Sequence, residues 1–442
     1  MKLLFMDEKG PQNSFKISYP FDRYNKIAHA NDKMGSYVAN VIEIDQKDYV
    51  LIEKEYKKTV SEYLLTRGQL KESLEKKDKE LKGQNLLKKN FDFGIASMRT
   101  EEIKFYTKLF EILIEYNVDN LLFLINKVSI ITSSRLINFI YYLDENIGYP
   151  AFFIKYVITK YLEIEASETV VKSFLDKSVP THRLLELIRD DMKRIISENL
   201  TNKRMQTQII SYKQFLKALE IVLDSDVELL EPDLAMEFDW EKVKWNFDLW
   251  MTERDFYGTE DDRKLFLDEG IPKDTFKDLK INSIQENCDS KDFIGLQITD
   301  MIVALIGKLV SKLNYITKYD FKRPDKVVLL PSNYFDITKE QFDLIKKIYL
   351  YIIDRKGQYH YINDSYFDSS ILLQSYLEYI ANFNSFDLYN KNKIDYHVSE
   401  HFKLFKDISD EKFFNTCKNE KIIKKDYGST RKAIEEKVYR PL

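Results

Sequence analysis

The chain has 442 residues, 44% of them hydrophobic and 32% charged, which is apolar material for more than one packed unit and a balance that excludes a disordered chain. A formal net charge of −4 excludes a chain-wide attraction for nucleic acid or an anionic membrane, so any such binding must be local. Two cysteines, Cys288 and Cys417, exclude a disulfide framework and cannot alone build a zinc knuckle; a reduced, cytoplasmic setting is expected.

At the N-terminus, Met1-Lys2 leads into four apolar residues before Asp7, too few for the apolar part of a secretory signal, and no apolar stretch is expected to cross a membrane. Residues 3–6, 14–19 and 37–44 are rich in β-formers and are separated by Gly10-Pro11 and by the polar stretch 25–35; they predict three consecutive strands in an antiparallel meander. From Gln46 the spacing turns helical, with Val50, Ile52, Tyr56, Val60, Tyr63 and Leu64 recurring at helix intervals. Lys and Glu then alternate through residues 71–89, the pattern of a solvated helix or linker.

Residues 120–125 are short and apolar throughout, as a buried strand of a parallel pair would be. Helical patterns run from Ser133 to about Leu223 and predict an all-helical insertion. Trp240, Trp245 and Trp250 fall close together and read as an anchoring core between units. Residues 264–270 repeat the N-terminal pattern of an apolar strand, then Asp268-Glu269, then Gly270; 279–284 predicts a further strand, and an apolar helix carrying Gln297 and Asp300 follows. The C-terminal region mixes helical runs such as 342–353 with aromatic-rich loops.

Four carboxylates attract attention in this pattern. Asp7, before Gly-Pro, is by itself an ordinary turn residue, yet the C-terminal end of a central strand is where α/β enzymes present catalytic acids. Glu8 would point to the opposite face if the strand continued, so Asp7 is the stronger candidate. Asp300 either caps its helix or, if Ser290 upstream begins it, is carried well inside an apolar helix, where a buried carboxylate needs donors or a cation. Gln297, Asp300, Ala304 and Gly307 share one face there, with residues small enough to press onto a sheet. Asp268 would add a third acid at a strand end. Acids on two strands and a helix suit a pair of Mg²⁺ or Mn²⁺ ions acting on a phosphodiester, and need no His or Cys. His397-Val398-Ser399-Glu400-His401 also fits the H-x-x-E-H pattern of inverted zinc proteases, a short pattern that arises readily on an amphipathic helix.

The N-terminal Asp7-Glu8 pair and the later Gln297-x-x-Asp300 in its Gly-Leu-Gln-Ile-Thr-Asp context, preceded by Asp289-Ser290, resemble the domain-of-unknown-function 3800 family. That resemblance implies a ribonuclease H-like fold, a metal-dependent nuclease activity and a place in prokaryotic antiviral defence. It touches Asp7, Glu8, Gln297 and Asp300 only; Asp268 is added from the strand pattern. Lys9 stands where the family has a small residue, bringing a cation beside the site, and the long gap between the motifs is not accounted for by the family.

The expectation is therefore an α/β protein with a ribonuclease H-like core at 1–50 and 236–315, an all-helical insertion at 51–235 and a mostly helical accessory region at 316–442. Asp7, Asp268 and Asp300 would ligate Mg²⁺ or Mn²⁺, Glu8 would assist, and Gln297 would orient a ligand or the attacking water, with RNA or DNA as substrate. The alternative is a non-enzymatic interaction or sensor protein that binds a protein partner through the helical insertion.

Overall fold

The computed structural model describes residues 1–9, 16–17, 21, 27–28, 36–66, 81–87, 89, 91–225, 227–232, 240–257, 262–317, 329–354, 360–364, 368–440 and 442. At its centre lies a mixed sheet of six strands: β1 (Lys2–Lys9), β2 (Ser36–Asp45), β3 (Asp119–Asn126), β4 (Arg263–Asp268), β5 (Ser283–Cys288) and β6 (His360–Asp364). Their spatial order is β5-β4-β1-β2-β3-β6. β1 is antiparallel to β2, and β2 to β3, whereas β1–β4, β4–β5 and β3–β6 are parallel pairs, so β2 alone runs against the rest.

The helices are α1 (Gln46–Thr66), α2 (Gly83–Leu86), α3 (Thr100–Glu115), α4 (Lys127–Tyr142), α5 (Ala151–Ile164), α6 (Glu168–Leu175), α7 (Thr181–Glu198), α8 (Gln206–Leu223), α9 (Trp240–Tyr257), α10 (Ile294–Thr317), α11 (Lys339–Ile352), α12 (Asp368–Ala381), α13 (Phe386–Asn390), α14 (Ile394–Tyr427) and α15 (Thr430–Glu435). The protein is thus of mixed α/β class.

Residues 3–7, 36–44 and 120–126 of β1, β2 and β3 are buried without alternation, the mark of strands covered on both faces. Successive side chains enter two separate apolar layers. Leu3, Phe5, Val38, Ile42 and Leu122 join the layer formed with α1, α3, α10, α11 and α12; Leu4, Met6, Tyr37, Val41 and Leu121 join the layer formed with α4 to α9. The parity of a strand residue therefore decides which layer it meets.

Several sequence expectations change. β1 pairs directly with β2, while Lys16–Ile17 pairs with Ile27–Ala28 in a separate two-stranded ribbon; the rest of the expected strand at 14–19 lies outside the described residues. A central strand needs apolar side chains on both faces, which residues 36–45 offer and the alternating Phe15-Lys16-Ile17-Ser18 does not. The segment expected as an all-helical insertion contributes β3, and the accessory region contributes β6, so both enter the central sheet. β3 does have a parallel neighbour, but its other partner is antiparallel. The strand expected at 279–284 lies instead at Ser283–Cys288. The helix Ile294–Asn314 is long and apolar enough by composition to cross a membrane, yet 78% of its apolar window is buried inside the fold.

Candidate functional site

β1 and β4 run parallel with Met6 opposite Leu267, so the next residue of each, Asp7 and Asp268, ends up side by side at the C-terminal edge of the sheet. This is the edge where open α/β sheets place their chemistry. Asp7 has the parity of Leu3 and Phe5, and Asp268 that of Phe266, so both carboxylates face the α10 layer. Phe5 stacks on Phe266 with ring centroids 4.9 Å apart, which locks the two strands together just below the acids. Asp7 is only 6% exposed.

The third acid arrives on α10. This helix begins at Ile294, so Asp300 is an interior residue and not a cap. Gly295 lets the helix lie against β1: a Cβ there would sit 2.3 Å from the ring of Phe5. One turn and a half further on, Asp300 Oδ2 accepts a hydrogen bond from the backbone N–H of Gly83 at 2.7 Å. The small-residue face of the helix is met closely by α2 at this point, since a Cβ on Gly83 would lie 2.5 Å from Cβ of Ala304. The expected close approach is real, but a short helix makes it. Lys82, just before, donates from Nζ to Ser290 Oγ at 2.7 Å. Gln297 donates its side-chain amide to the carbonyl of Ser290 at 2.8 Å, tying the helix to the chain that leads into it.

The electrostatics confirm that the three acids share one environment. Burial raises the Asp7 carboxyl well above the usual carboxylate range; the charges of Asp268 and then Asp300 raise it further, and so does a side-chain hydrogen bond with Asp268. A single opposing contribution comes from the Glu8 backbone N–H, which donates to Asp7 Oδ1 at 2.6 Å. The Tyr106 hydroxyl, buried beside the same cluster, is raised by burial and then by the charge of Asp300. The ammonium of Lys308, on α10, is lowered by burial, by Lys312 and by Lys9, which places the Lys9 charge within reach of the same helix.

A polar residue missed in the sequence lies directly across from Asp7. Asn40 is its partner in the β1–β2 register, is fully buried, and has the parity of Val38 and Ile42, so it faces α10 too. Its amide nitrogen donates to Asn120 Oδ1 and, at 3.0 Å, to the carbonyl of Leu121. Gly83 was also missed. Set in a run of Lys and Glu, it left no signal, and that of Asn40 was an amide inside a run otherwise apolar.

The remaining candidates lie elsewhere. Glu8 has the parity of Leu4 and Met6 and faces the other layer, where its charge raises the buried Tyr37 hydroxyl after burial itself. Glu269 is exposed beyond the strand end. His397 and His401 are buried against α12, with Nδ1 of His397 at 2.8 Å from Tyr379 Oη and Nε2 of His401 at 3.2 Å from Ser375 Oγ; Glu400 pairs with Lys403 at the surface. These histidines build a core contact, not a zinc site. The tryptophans all lie on α9, where Trp250 stacks on Phe247 and Trp240 meets Tyr37 edge-on, an anchoring core as expected.

Comparison with protein-family models, with curated proteins and with solved structures finds no match to this chain. The donors gathered at the sheet edge are all oxygens, the set that suits hard cations such as Mg²⁺ and Mn²⁺. Among the described residues, no three Asp, Glu, His or Cys side chains stand in a metal-holding arrangement as placed. Ligation by Asp7, Asp268 and Asp300 together therefore asks their side chains to turn toward a common point.

Proposed function

We propose that the sheet-edge cluster of Asp7, Asp268 and Asp300 is the centre of a metal-dependent phosphodiesterase acting on nucleic acid, RNA or DNA, on a ribonuclease H-like core. The observation that carries this reading is the parallel register of β1 and β4, which sets Asp7 beside Asp268 at the sheet edge, with Asp300 of α10 near enough for its charge to act on Asp7. Three acids from three separate elements, two of them over 250 positions from the first, come together here, and at Asp7 burial and the charges of the other two both oppose ionisation. Such a cluster costs stability unless something positive is to be held there.

Bound Mg²⁺ or Mn²⁺ would supply an activated water and a counter-charge for the leaving oxygen. The chain's own residues supply the rest. Asp7 and Asp268 present oxygens from adjacent strand ends, and the Gly83 amide fixes the orientation of Asp300. Gln297 holds the start of α10 in place through Ser290 and would orient a ligand or the attacking water. Lys9 follows Asp7 on the same strand and Lys82 precedes Gly83, and in this proposal they would supply local positive charge for a phosphate backbone, although the whole chain is acidic. A role in antiviral defence follows from the family resemblance and a cytoplasmic setting from the cysteine usage, and both belong to the same proposal.

The test compares cleavage of RNA, DNA and hybrid substrates by the wild type and by Asp300→Asn, with Mn²⁺ and with chelator. Cleavage that needs the metal and is lost in the variant supports the reading. Equal cleavage by both proteins, or none by either on any substrate, overturns it.

A further inference from the structure

The least expected polar group in the sheet is the carboxamide of Asn40. It sits in a strand covered on both faces, where side-chain polarity is costly unless fully satisfied. Both hydrogens of its amide nitrogen are committed toward β3, to Asn120 Oδ1 and to the carbonyl of Leu121. That leaves the carbonyl oxygen on the opposite side, away from β3. Oδ1 is buried and has no hydrogen-bond partner among the described residues.

The neighbour on that side is Asp7. The two residues face each other in the β1–β2 ladder, and directly opposed side chains on one face of an antiparallel pair have Cβ atoms about 4.5–5.5 Å apart. Asp268, Asp7 and Asn40 then lie side by side across three adjacent strands on the α10 face, and Asn120 on the fourth sits two residues from the position opposite Asn40. Asn120 fixes the rotation of the Asn40 carboxamide, and its own Nδ2 is likewise buried without a partner. A lone acceptor oxygen held rigidly beside these acids accepts nothing from their ionised forms, because two acceptors do not bond each other. It is of use to a hard cation, which takes neutral amide oxygens alongside carboxylates.

We infer that Asn40 Oδ1 is a fourth oxygen ligand of the cation held by Asp7, Asp268 and Asp300, with Asn120 as the residue that orients it. This rests on the metal-site reading above. It adds a neutral donor on β2, so that β4, β1, β2 and α10 each contribute one ligand, and the cation is the hard divalent type.

The experiment is Mn²⁺ titration of the full chain by calorimetry, with thermal unfolding in parallel, for the wild type, Asn40→Ala and Asn40→Asp. Loss of one ligand oxygen should weaken Mn²⁺ binding by about 10–100-fold in Asn40→Ala. Asn40→Asp keeps an oxygen at the same place and adds charge, so its unfolding temperature should rise with Mn²⁺ by more than that of the wild type. Wild-type binding with equal affinity in Asn40→Ala overturns the inference and leaves the carboxylate site standing. No Mn²⁺ binding by the wild type overturns the metal site itself. If Asn40→Ala does not fold, Asn40→Asp decides: a larger Mn²⁺ response than the wild type supports the ligand role, and an equal or smaller one overturns it.

Discussion

The backbone amide of Gly83 donates to Asp300 at 2.7 Å across 217 positions of sequence. That bond positions the third acid, and it requires a glycine for a steric reason: a side chain at 83 would place Cβ 2.5 Å from Cβ of Ala304 and 2.9 Å from the carbonyl oxygen of Asp300. Neither neighbour is the far end of a flexible side chain, so α2 would have to move away from α10. Gly83→Ala is expected to destabilise the protein by about 1–3 kcal/mol, the range for overpacking a core contact. It should also weaken Mn²⁺ binding, because Asp300 loses its donor. Chemical denaturation and metal titration of the same variant check both; unchanged values in both would mean that α2 does not hold Asp300.

Asp7 should be a residue whose removal stabilises the metal-free protein. Its carboxyl is raised first by burial and then by Asp268 and Asp300, so its contribution is fully present below the unfolded value near 3.8 and is lost as pH rises through the folded value. At neutral pH the metal-free wild type therefore carries a penalty that an amide would not. Asp7→Asn is expected to be more stable than the wild type in chelator at pH 7.5, and to lose the stabilisation that Mn²⁺ gives the wild type. Urea denaturation with and without Mn²⁺ reads both effects. A variant less stable than the wild type in chelator would make the cluster an ordinary structural network.

How much of this was legible depended on what kind of signal each residue left. Asp7 and Asp268 could be found because an apolar strand ending in Asp-Glu occurs twice, and the two copies prove to be neighbouring parallel strands. Asp300 could be found because a charge in an apolar helix is conspicuous. Gly83 could not, since its surroundings alternate Lys and Glu as a solvated helix does, and only the tertiary approach of α2 to α10 gives the glycine its role. β6 pairs with a strand more than 230 positions earlier, and local periodicity carries no information about such a partner. Asn40 was present in an apolar run predicted as a strand, but its meaning depends on register: one residue of slip would have turned it to the other layer.

The buried histidines predict acid sensitivity of the C-terminal helices. Burial pushes His401 down to about 3 from an ordinary 6.5 and lowers His397 as well. The neutral form is the one that packs between Phe335 and Tyr379. Their contribution is therefore present above pH 6.5 and is lost as pH falls below it toward the folded value, at up to about 1.4 kcal/mol per pH unit for each histidine. His401→Leu should narrow the difference in unfolding free energy between pH 7 and pH 4.5. An unchanged difference would show that the helix already loosens around His401 before it is protonated.

Glu420 carries the opposite sign and lies on the same long helix. Both of its carboxylate oxygens accept from the N–H of Phe152, at 3.1 and 3.0 Å, at the first turn of α5, and the Tyr439 hydroxyl donates at 3.3 Å. Donors at a helix N-terminus favour the ionised form, and the Phe152 N–H does lower its value. Burial outweighs this and, with the Asp144 charge adding to it, pushes the group up to about 7. With an unfolded value near 4.5, the stability Glu420 contributes is complete below pH 4.5 and is lost as pH rises through 7. Glu420→Gln keeps an acceptor for Phe152 and removes the titration. It should match the wild type near pH 4.5 and exceed it at pH 8 by on the order of 2–3 kcal/mol. Denaturation of both proteins across that range tests this. A variant that is weaker at every pH would mean that the hydrogen bonds to Phe152 and Tyr439 outweigh the burial of charge, and that the long C-terminal helix is held to α5 by an ionised carboxylate.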